Sequence, residues 1–161
     1  MGLINFPFFH EKDKPRGYFL TSEIKFDAAH RLSNYDGKCS RLHGHTYRVV
    51  VTVGSEKLNN WGAVMDFGDL KEIFKTHIDA KFDHKTILFD EDEDNQRISR
   101  AMGKDWVCWM SCNPTAENMA REIYKDIKAV FNSNAKFKGV KLESVTVYET
   151  PTSEATYWEL K

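Results

Sequence analysis

Three histidines are spaced as ligands of one metal ion. His43 and His45 are two residues apart in HGHTYRVVV, and alternate residues of a β-strand project from the same face. His30 ends an earlier run of two-residue period, which antiparallel pairing would bring alongside them. Zn²⁺ accepts three imidazole nitrogens and keeps one position open in catalytic sites. The spacing therefore predicts one Zn²⁺ per chain, with Gly44 allowing a close approach of the backbone.

A thiol lies near these histidines in the chain. Cys39 is four residues before His43, in the loop between the two predicted strands. Three interpretations are open: a fourth ligand that closes a structural zinc site, an inert thiol, or a thiolate beside the metal that moves protons. Spacing alone does not separate the first from the third. The other two cysteines, Cys108 and Cys112, are typical of small buried hydrophobes, and no disulfide framework is visible.

Two further places carry ionisable groups. Asp83 and His84 follow a predicted helix, where such a pair is by default a surface feature of the helix end. The alternative is a carboxylate and an imidazole that act together on protons near neutral pH. Glu149 ends the apolar run VTVYE, and charged residues at strand ends are usually just solvated. Its alternative role is to accept two parallel N–H bonds from an amidine-like ligand edge.

Hydrophobic periodicity predicts the elements that must position these residues. The order is ββααββ, an α+β architecture. Thr115, at the start of the second helix, is a natural N-cap. The acidic run 90–94 lacks the spaced ligands of a calcium loop and predicts a solvated turn. The predicted strands are Tyr18–His30, a run starting at His43, Val140–Thr150 and Ala155–Leu160, and the predicted helices are Phe67 to about Phe82 and a segment following Thr115.

Composition excludes several classes of function. A chain of 161 residues with 41% apolar and 29% charged residues is typical of one globular domain. Its formal net charge of −1 predicts no binding to nucleic acid or to an anionic membrane. No apolar run approaches the roughly 20 residues of a spanning helix, and the N-terminus is a poor signal peptide. We expect an N-terminal extension over residues 1–17, a single domain over residues 18–161, and a cytoplasmic location.

Six segments together resemble the 6-pyruvoyltetrahydropterin synthase superfamily. They occur in the order found in that family and extend from about residue 22 to residue 158. The short gap between Cys39 and His43 is similar to that of the bacterial 6-carboxytetrahydropterin synthases, whereas the pyruvoyl-forming enzymes of mammalian type have a longer gap. The acidic segment between Asp90 and Ser111 departs from the family's motifs. The matching segments are FDAAHRL, CSRLHGHTYRVVV, GAVMDFGDLK, FDH, NPTAEN and YETPTSEATY.

The resemblance implies a fold and an activity. The fold would be the tunnelling fold, an antiparallel four-stranded sheet with two helices on one face that assembles into an oligomeric barrel. The assembly would be a homohexamer or a related ring. The substrate would be 7,8-dihydroneopterin triphosphate, and the products 6-carboxytetrahydropterin, acetaldehyde and triphosphate, on the route to queuosine.

The resemblance also implies roles for single residues. His30, His43 and His45 match the zinc ligands of the family. Cys39 matches its catalytic thiol, and Asp83 and His84 complete the proton-transfer set. Glu149 matches the carboxylate that anchors the pterin, and Thr115 and Glu117 match positions that line the pterin pocket.

Two alternatives remain open from the sequence. One is the pyruvoyl-forming synthase, which has the same fold and a different elimination. The other is a non-catalytic zinc module with Cys39 as the fourth ligand. The basic residues that bind triphosphate also remain open, among Lys25, Arg31, Lys38, Arg41 and Arg48.

Overall fold

The computed structural model describes residues 17–159. Residues 1–16, 160 and 161 lie outside this range. All but one residue of the predicted N-terminal extension, and the predicted strand end at Leu160, are therefore outside the described residues.

Six strands and four helices make up the described chain. The strands are β1 (Tyr18–His30), β2 (His43–Ser55), β3 (Thr86–Phe89), β4 (Val107–Met110), β5 (Lys141–Thr150) and β6 (Ser153–Tyr157). The helices are α1 (Phe67–Phe74), α2 (Ala80–Phe82), α3 (Glu93–Met102) and α4 (Ala116–Ser133), and a π-helical turn (Lys75–Asp79) joins α1 to α2. Short 3₁₀ turns lie at Lys38–Ser40, Lys104–Trp106 and Ala135–Phe137.

The strands form one mixed sheet in the order β4-β3-β1-β2-β5-β6. The β1–β2 pair is antiparallel, as the sequence predicts, and so are the pairs β2–β5 and β5–β6. However, β3 pairs in parallel with β1, and β4 pairs in parallel with β3. The prediction of a four-stranded, purely antiparallel sheet is therefore wrong. The two added strands have only four residues each, and such short apolar runs have no diagnostic period.

The two predicted helices are confirmed. The helix from Phe67 continues to Phe82 through the π-helical turn, and Asp66 caps its start by accepting from the N–H of Gly68. Thr115 caps α4, because its hydroxyl accepts from the N–H of Asn118 at 3.3 Å.

The structure adds α3, which follows the acidic run. Asp92 caps this helix by accepting from the N–H of Asp94. The prediction of a turn over residues 90–94 is therefore only partly right, since Glu93 already begins a helix.

One face of the sheet packs against α1, α2 and α4. The alternating residues of β2, from Tyr47 to Val53, are fully buried and share one core with Leu70, Ile78 and Met119 of the helical layer. The opposite face of β1 carries the exposed residues Glu23, Lys25 and Asp27. The predicted pattern of a half-buried sheet covered by helices on one side is thus present, and the histidines of β1 and β2 continue its buried rows.

Across residues 17–159, no helix is long and apolar enough to span a bilayer.

Candidate metal centre and proton-transfer groups

The register of the β1–β2 pair brings the three predicted histidines together. His30 lies directly opposite His43, and Ala28 lies opposite His45. One ring nitrogen from each histidine falls within 4.8 Å of the others. The glycine between the two histidines also has a steric reason. A Cβ at position 44 would lie only 3.1 Å from the Ala28 carbonyl oxygen on the paired strand. The predicted convergence of the three imidazoles is therefore present in the structure.

Backbone carbonyls orient two of the imidazoles. Nδ1 of His30 lies 2.8 Å from the Pro114 carbonyl oxygen, and Nδ1 of His43 lies 2.7 Å from that of Arg41. A carbonyl only accepts, so each Nδ1 carries the proton and each Nε2 keeps its lone pair. Such a second hydrogen bond is the usual way in which proteins orient metal-binding histidines.

The donor set fits a metal ion. The Nε2 atoms of His30 and His45 are buried without a hydrogen-bond partner among residues 17–159, an arrangement that costs free energy unless something else binds them. Burial lowers the pKa of His45. Burial likewise lowers the pKa of His30, although its hydrogen bond to Pro114 offsets part of this effect. Neutral imidazoles are the form that binds metal, so the cluster is prepared for a cation.

Glu149 faces this cluster. Its Oε1 lies 3.3 Å from Nε2 of His30 and 3.8 Å from Nε2 of His45. The residue continues the buried row of Val145 and Val147 on β5 and stands where the pairing with β6 becomes irregular. Strand irregularities of this kind redirect side chains near active sites. Glu149 is outside the set of mutually close ligand atoms, so its carboxylate is placed beside the metal position rather than within the triad.

Cys39 lies in the 3₁₀ turn Lys38–Ser40 and is partly exposed. Its carbonyl accepts from the N–H of Leu32 at 2.8 Å. Within residues 17–159 the metal-ligand set contains no sulfur, which argues against a closed site with four protein ligands. This bond ties the turn to Leu32, two residues after His30 in the chain.

Tyr47 is a residue of the site that the sequence did not reveal as functional. It is fully buried, and its hydroxyl has no hydrogen-bond partner in the described chain. Burial raises the pKa of Tyr47 far above its usual value, and the charges of Glu149 and Cys39 add to the effect. In the sequence it is simply the next buried position after His45 in an alternating strand. The only sequence signal for a functional role of Tyr47 is its position two residues after His45, on the same face of the strand as His43 and His45.

Asp83 and His84 pair with each other at a different place. Nδ1 of His84 donates to Oδ2 of Asp83 at 2.7 Å, and Oδ1 of Asp83 accepts from the N–H of Asp27 at 3.0 Å. His84 has a positive φ of 56°, which a non-glycine residue adopts only at a cost. Its own N–H donates to the Asp27 carbonyl at 2.7 Å. The pair is thus held by the backbone of β1.

The pair stabilises a charged imidazole. The hydrogen bond from His84 to Asp83 and the charge of that carboxylate raise the pKa of His84 above 6.5. Partial desolvation would raise the pKa of Asp83, but hydrogen bonds from Asp27 and His84 outweigh it and lower that pKa. The groove of about 520 Å³ beside them also includes the metal-ligand position His45. It is lined by Asp27, Ala28, Ala29, Gly44, His45, Thr46, His84, Lys85 and Thr86.

The two predicted residues of α4 have different surroundings. The hydroxyl of Thr115 serves as N-cap, and its neighbour Pro114 is the residue that orients His30. Glu117 is exposed in the first turn of the helix. The start of α4 therefore supports the metal centre through its backbone, whereas the contacts of Glu117 do not place its carboxylate at the histidines.

A six-stranded sheet covered by helices, with three histidines open toward a carboxylate, defines an α+β protein with a candidate catalytic metal centre. The family profile of 6-pyruvoyl tetrahydropterin synthase matches residues 19–160. The chain therefore belongs to the 6-pyruvoyl tetrahydropterin synthase family.

Relatives narrow this assignment. The 6-carboxy-5,6,7,8-tetrahydropterin synthase of Rickettsia conorii is 38% identical over 133 residues, which are 81% of this chain and 93% of the relative. The protein of the same name from Haemophilus influenzae is 34% identical over 146 residues, which are 87% and 98% of the two chains.

Solved structures share the fold. An uncharacterised protein from Wolinella succinogenes superimposes with a TM-score of 0.73 at 24% identity, covering 89% of this chain and 99% of that one. The 6-pyruvoyl tetrahydropterin synthase of Caenorhabditis elegans superimposes with a TM-score of 0.64 at 24% identity, covering 89% and 96%.

Proposed function

We propose that the chain is a zinc-dependent carbon–carbon lyase. It converts 7,8-dihydroneopterin triphosphate to 6-carboxy-5,6,7,8-tetrahydropterin, acetaldehyde and triphosphate, on a cytoplasmic route to 7-deazaguanine compounds such as queuosine. Family membership and the names of relatives at 38% and 34% identity support the reaction. The observation that best supports this chemistry is the position of Glu149 beside three histidines that could together bind a metal ion.

Zinc is the proposed metal because three imidazoles with an open side form the donor set of catalytic zinc sites. When bound, the metal supplies positive charge that stabilises negative charge developing on neighbouring substrate oxygens.

Glu149 fixes the position of the substrate in this proposal. The 2-amino group and the adjacent ring N–H of a pterin form a pair of donors that matches a carboxylate. Two parallel hydrogen bonds to Glu149 hold the ring plane, so the side chain of the substrate extends toward His30 and His45. Holding the reacting atoms in one geometry is itself a large part of catalysis.

Two sets of groups move protons. Cys39, whose turn is bonded to Leu32 two residues after His30, takes a proton from the substrate side chain as a thiolate. Asp83 and His84 exchange a proton at Nε2 of the imidazole, since Nδ1 is held by the carboxylate. His84 and the metal ligand His45 line one groove, which supports a joint role. Thr115 and Glu117 remain proposed contacts of the pterin.

The structure narrows the choice of groups for the triphosphate. Arg31 donates to Ser40 and Asn95, and Arg48 pairs with Glu23 and stacks on Tyr148. These two guanidiniums are already bound by the protein. We therefore propose that triphosphate is bound by exposed cations among the remaining three candidates, Lys25, Lys38 and Arg41. Lys38 and Arg41 flank the thiol turn, which makes them the first two to test.

Substituting the thiol separates this enzyme from a zinc module. Cys39→Ala is expected to retain zinc and to lose about 10²- to 10⁴-fold in kcat, because a proton-transfer group contributes that much. Metal analysis and steady-state kinetics on the same preparation measure both quantities. Cys112→Ala is the matched control and should keep its activity. Loss of zinc together with the fold in Cys39→Ala would favour the structural site.

The assembly is proposed to be a homohexamer or a related ring. β4 and β6 form the two edges of the sheet, and unpaired edges favour pairing with another chain. Several aromatic side chains are also exposed, including Tyr18 at 51% and Trp61 at 72%. Multi-angle light scattering is the test, and a stable, active monomer would rule the ring out.

Product analysis decides the reaction. Incubation with 7,8-dihydroneopterin triphosphate should release acetaldehyde and 6-carboxytetrahydropterin in equal amounts. Release of triphosphate without acetaldehyde, together with the 6-pyruvoyl product, would assign the pyruvoyl-forming reaction instead.

A further inference from the structure

The helix α3 lies in the segment that departs from the family's motifs, and its buried side chains are polar. Asn95 is fully buried and Ser99 is 5% exposed. A buried amide is costly unless its donors and its acceptor are all bonded. The contacts of Asn95 therefore indicate what the helix is packed against.

Asn95 connects α3 to the residue after the metal ligand His30. Its Oδ1 accepts from Nη1 of Arg31 at 2.9 Å. Its Nδ2 donates to Oγ of Ser33 at 3.2 Å and to the carbonyl of Phe89 at 3.0 Å. The amide thus uses its acceptor and its donors within the protein, in a site with no exposed surface.

Arg31 carries the connection onward to the thiol turn. Its Nε donates to the carbonyl of Ser40 at 3.1 Å, and Ser40 is the residue directly after Cys39. The guanidinium is planar and rigid, so two bonds fix its orientation as well as its position. The carbonyl of Cys39 is bonded to Leu32. The turn is therefore tied to the stretch after β1 through the carbonyls of two successive residues, Cys39 and Ser40.

A third set of bonds holds the start of the loop. The N–H of Ser33 donates to Oδ1 of Asn113 at 2.7 Å, and Nδ2 of Asn113 donates back to the Ser33 carbonyl at 2.9 Å. Ser33 is 1% exposed. The loop is thus held at Ser33 and at Ser40, and Asn95 bonds to Ser33 directly and reaches Ser40 through Arg31.

The local charge argues against a phosphate site at Arg31. The cavity beside it, about 350 Å³, contains one cation and four carboxylates, and Asp92 lies 3.5 Å from the guanidinium. Such a lining repels a polyanion. The cavity is lined by Arg31, Asn34, Phe89, Glu91, Asp92, Glu93 and Asp94.

We propose that Asn95 and Arg31 are positioning residues that hold the Cys39 turn in its reactive place, so that α3 is part of the catalytic machinery rather than a surface insertion. This role rests on the proposed function of the thiol. A fully bonded buried network rigidifies what it contacts, and a displacement of about 1 Å in a reacting group can cost about a hundredfold in rate.

The test compares Asn95→Ala and Arg31→Lys with Arg97→Ala. Arg97 is the matched control, because its guanidinium is on the same helix, is 68% exposed and pairs only with Glu93 and Asp94 among the described residues. Both network variants should lose roughly 10- to 100-fold in kcat with KM changed less than about threefold. Zinc content should be unchanged, and the control should behave as wild type.

A second readout does not depend on activity. The rate of alkylation of each cysteine by iodoacetamide is followed by peptide mass spectrometry, with Cys112 as internal reference. Loosening of the turn should make Cys39 roughly three- to tenfold faster, because local opening exposes its thiol, and leave Cys112 unchanged. If Asn95→Ala does not fold, Arg31→Lys and the milder Asn95→Ser carry the same test.

The outcomes separate this proposal from the proposed function. Wild-type kcat and wild-type alkylation of Cys39 in both network variants would overturn the positioning role and leave the reaction intact. Wild-type kcat in Cys39→Ala would overturn the proposed role of the thiol, while faster alkylation in the network variants would still show that α3 holds the turn.

Discussion

The histidine cluster and the Asp83–His84 pair differ in how far the protein itself surrounds and holds their side chains. The cluster is partly buried: His30 is 1% exposed, backbone carbonyls hold two of the three rings, and a carboxylate stands beside it. The side chain of His84 is 74% exposed and its backbone adopts a left-handed conformation. The cluster is suited to binding a cation, whereas the exposed pair is suited to exchanging a proton with a bound substrate or with solvent.

The electrostatics of the two regions follow from this difference. Burial lowers the pKa of His30 and of His45, which favours the neutral form that metal binding requires. Contact with Asp83 raises the pKa of the exposed His84, which favours its charged form. The local environment alone thus shifts the pKa values of histidines in one chain in opposite directions.

The largest expected effect comes from removing two of the three proposed metal ligands. His43→Ala/His45→Ala should reduce bound zinc below about 0.1 per chain and abolish turnover, because two of three ligands are lost. Metal analysis after dialysis measures this. His77→Ala is the matched control, since His77 lies in the π-helical turn outside the cluster. Stoichiometric zinc in the double variant would show that the metal is bound elsewhere.

Glu149→Ala tests whether the carboxylate beside the cluster anchors substrate. We expect kcat/KM to fall roughly 30- to 1000-fold, about 2–4 kcal/mol, because a buried donor pair of the ligand loses its partner. Zinc content should not change, since Glu149 is outside the ligand set. Steady-state kinetics with Glu143→Ala, a carboxylate on the same strand, as control provide the measurement. A loss below about threefold would mean that the pterin is held elsewhere, with Glu117 the next candidate.

Asp83→Asn tests the exposed pair through pH. The raised pKa of His84 keeps its imidazolium present below pH 6.5, and the charged form is lost as pH rises through the folded-state pKa. If the imidazolium donates a proton, kcat should fall along that same limb. Removing the carboxylate should move the limb to lower pH and reduce kcat at neutral pH by about tenfold. A pH profile identical to that of wild type would remove this pair from the proton path.

Residues that follow a simple period were predictable. The two-residue alternation placed His30, His43 and His45 on one face, and the antiparallel register then brought them together. Thr115 was found as a cap because the capping chemistry is local. These features depend on spacing within one element or one hairpin.

Features that depend on distant packing were not predictable. β3 and β4 are short apolar runs that become strands only by pairing in the sheet, β3 with β1 and β4 with β3. α3 has no apolar stripe, since its buried residues are Asn95 and Ser99, so hydrophobic periodicity does not reveal it. The bulge that accompanies Glu149 and the backbone conformation of His84 likewise appear only in three dimensions.

Tyr47→Phe has the smallest expected effect. It tests whether the buried hydroxyl lowers the stability of the protein but contributes to activity. The hydroxyl is buried without a hydrogen-bond partner in the part of the chain that the structure describes, so its removal should raise the free energy of unfolding of the metal-free protein by about 1 kcal/mol. The same change should lower kcat/KM by roughly three- to tenfold, because a hydroxyl donor on the ring beside His30 and His45 is lost. Urea unfolding and steady-state kinetics measure the two quantities.

Tyr124→Phe is the matched control. That hydroxyl donates to the Leu142 carbonyl at 3.3 Å, so its loss should lower the free energy of unfolding by about 1 kcal/mol and leave the kinetics unchanged. Opposite signs for the two tyrosines would show that Tyr47 keeps its hydroxyl for a ligand. A loss of stability in both would mean that Tyr47 already has a partner in the folded protein, and that the buried cluster is not strained.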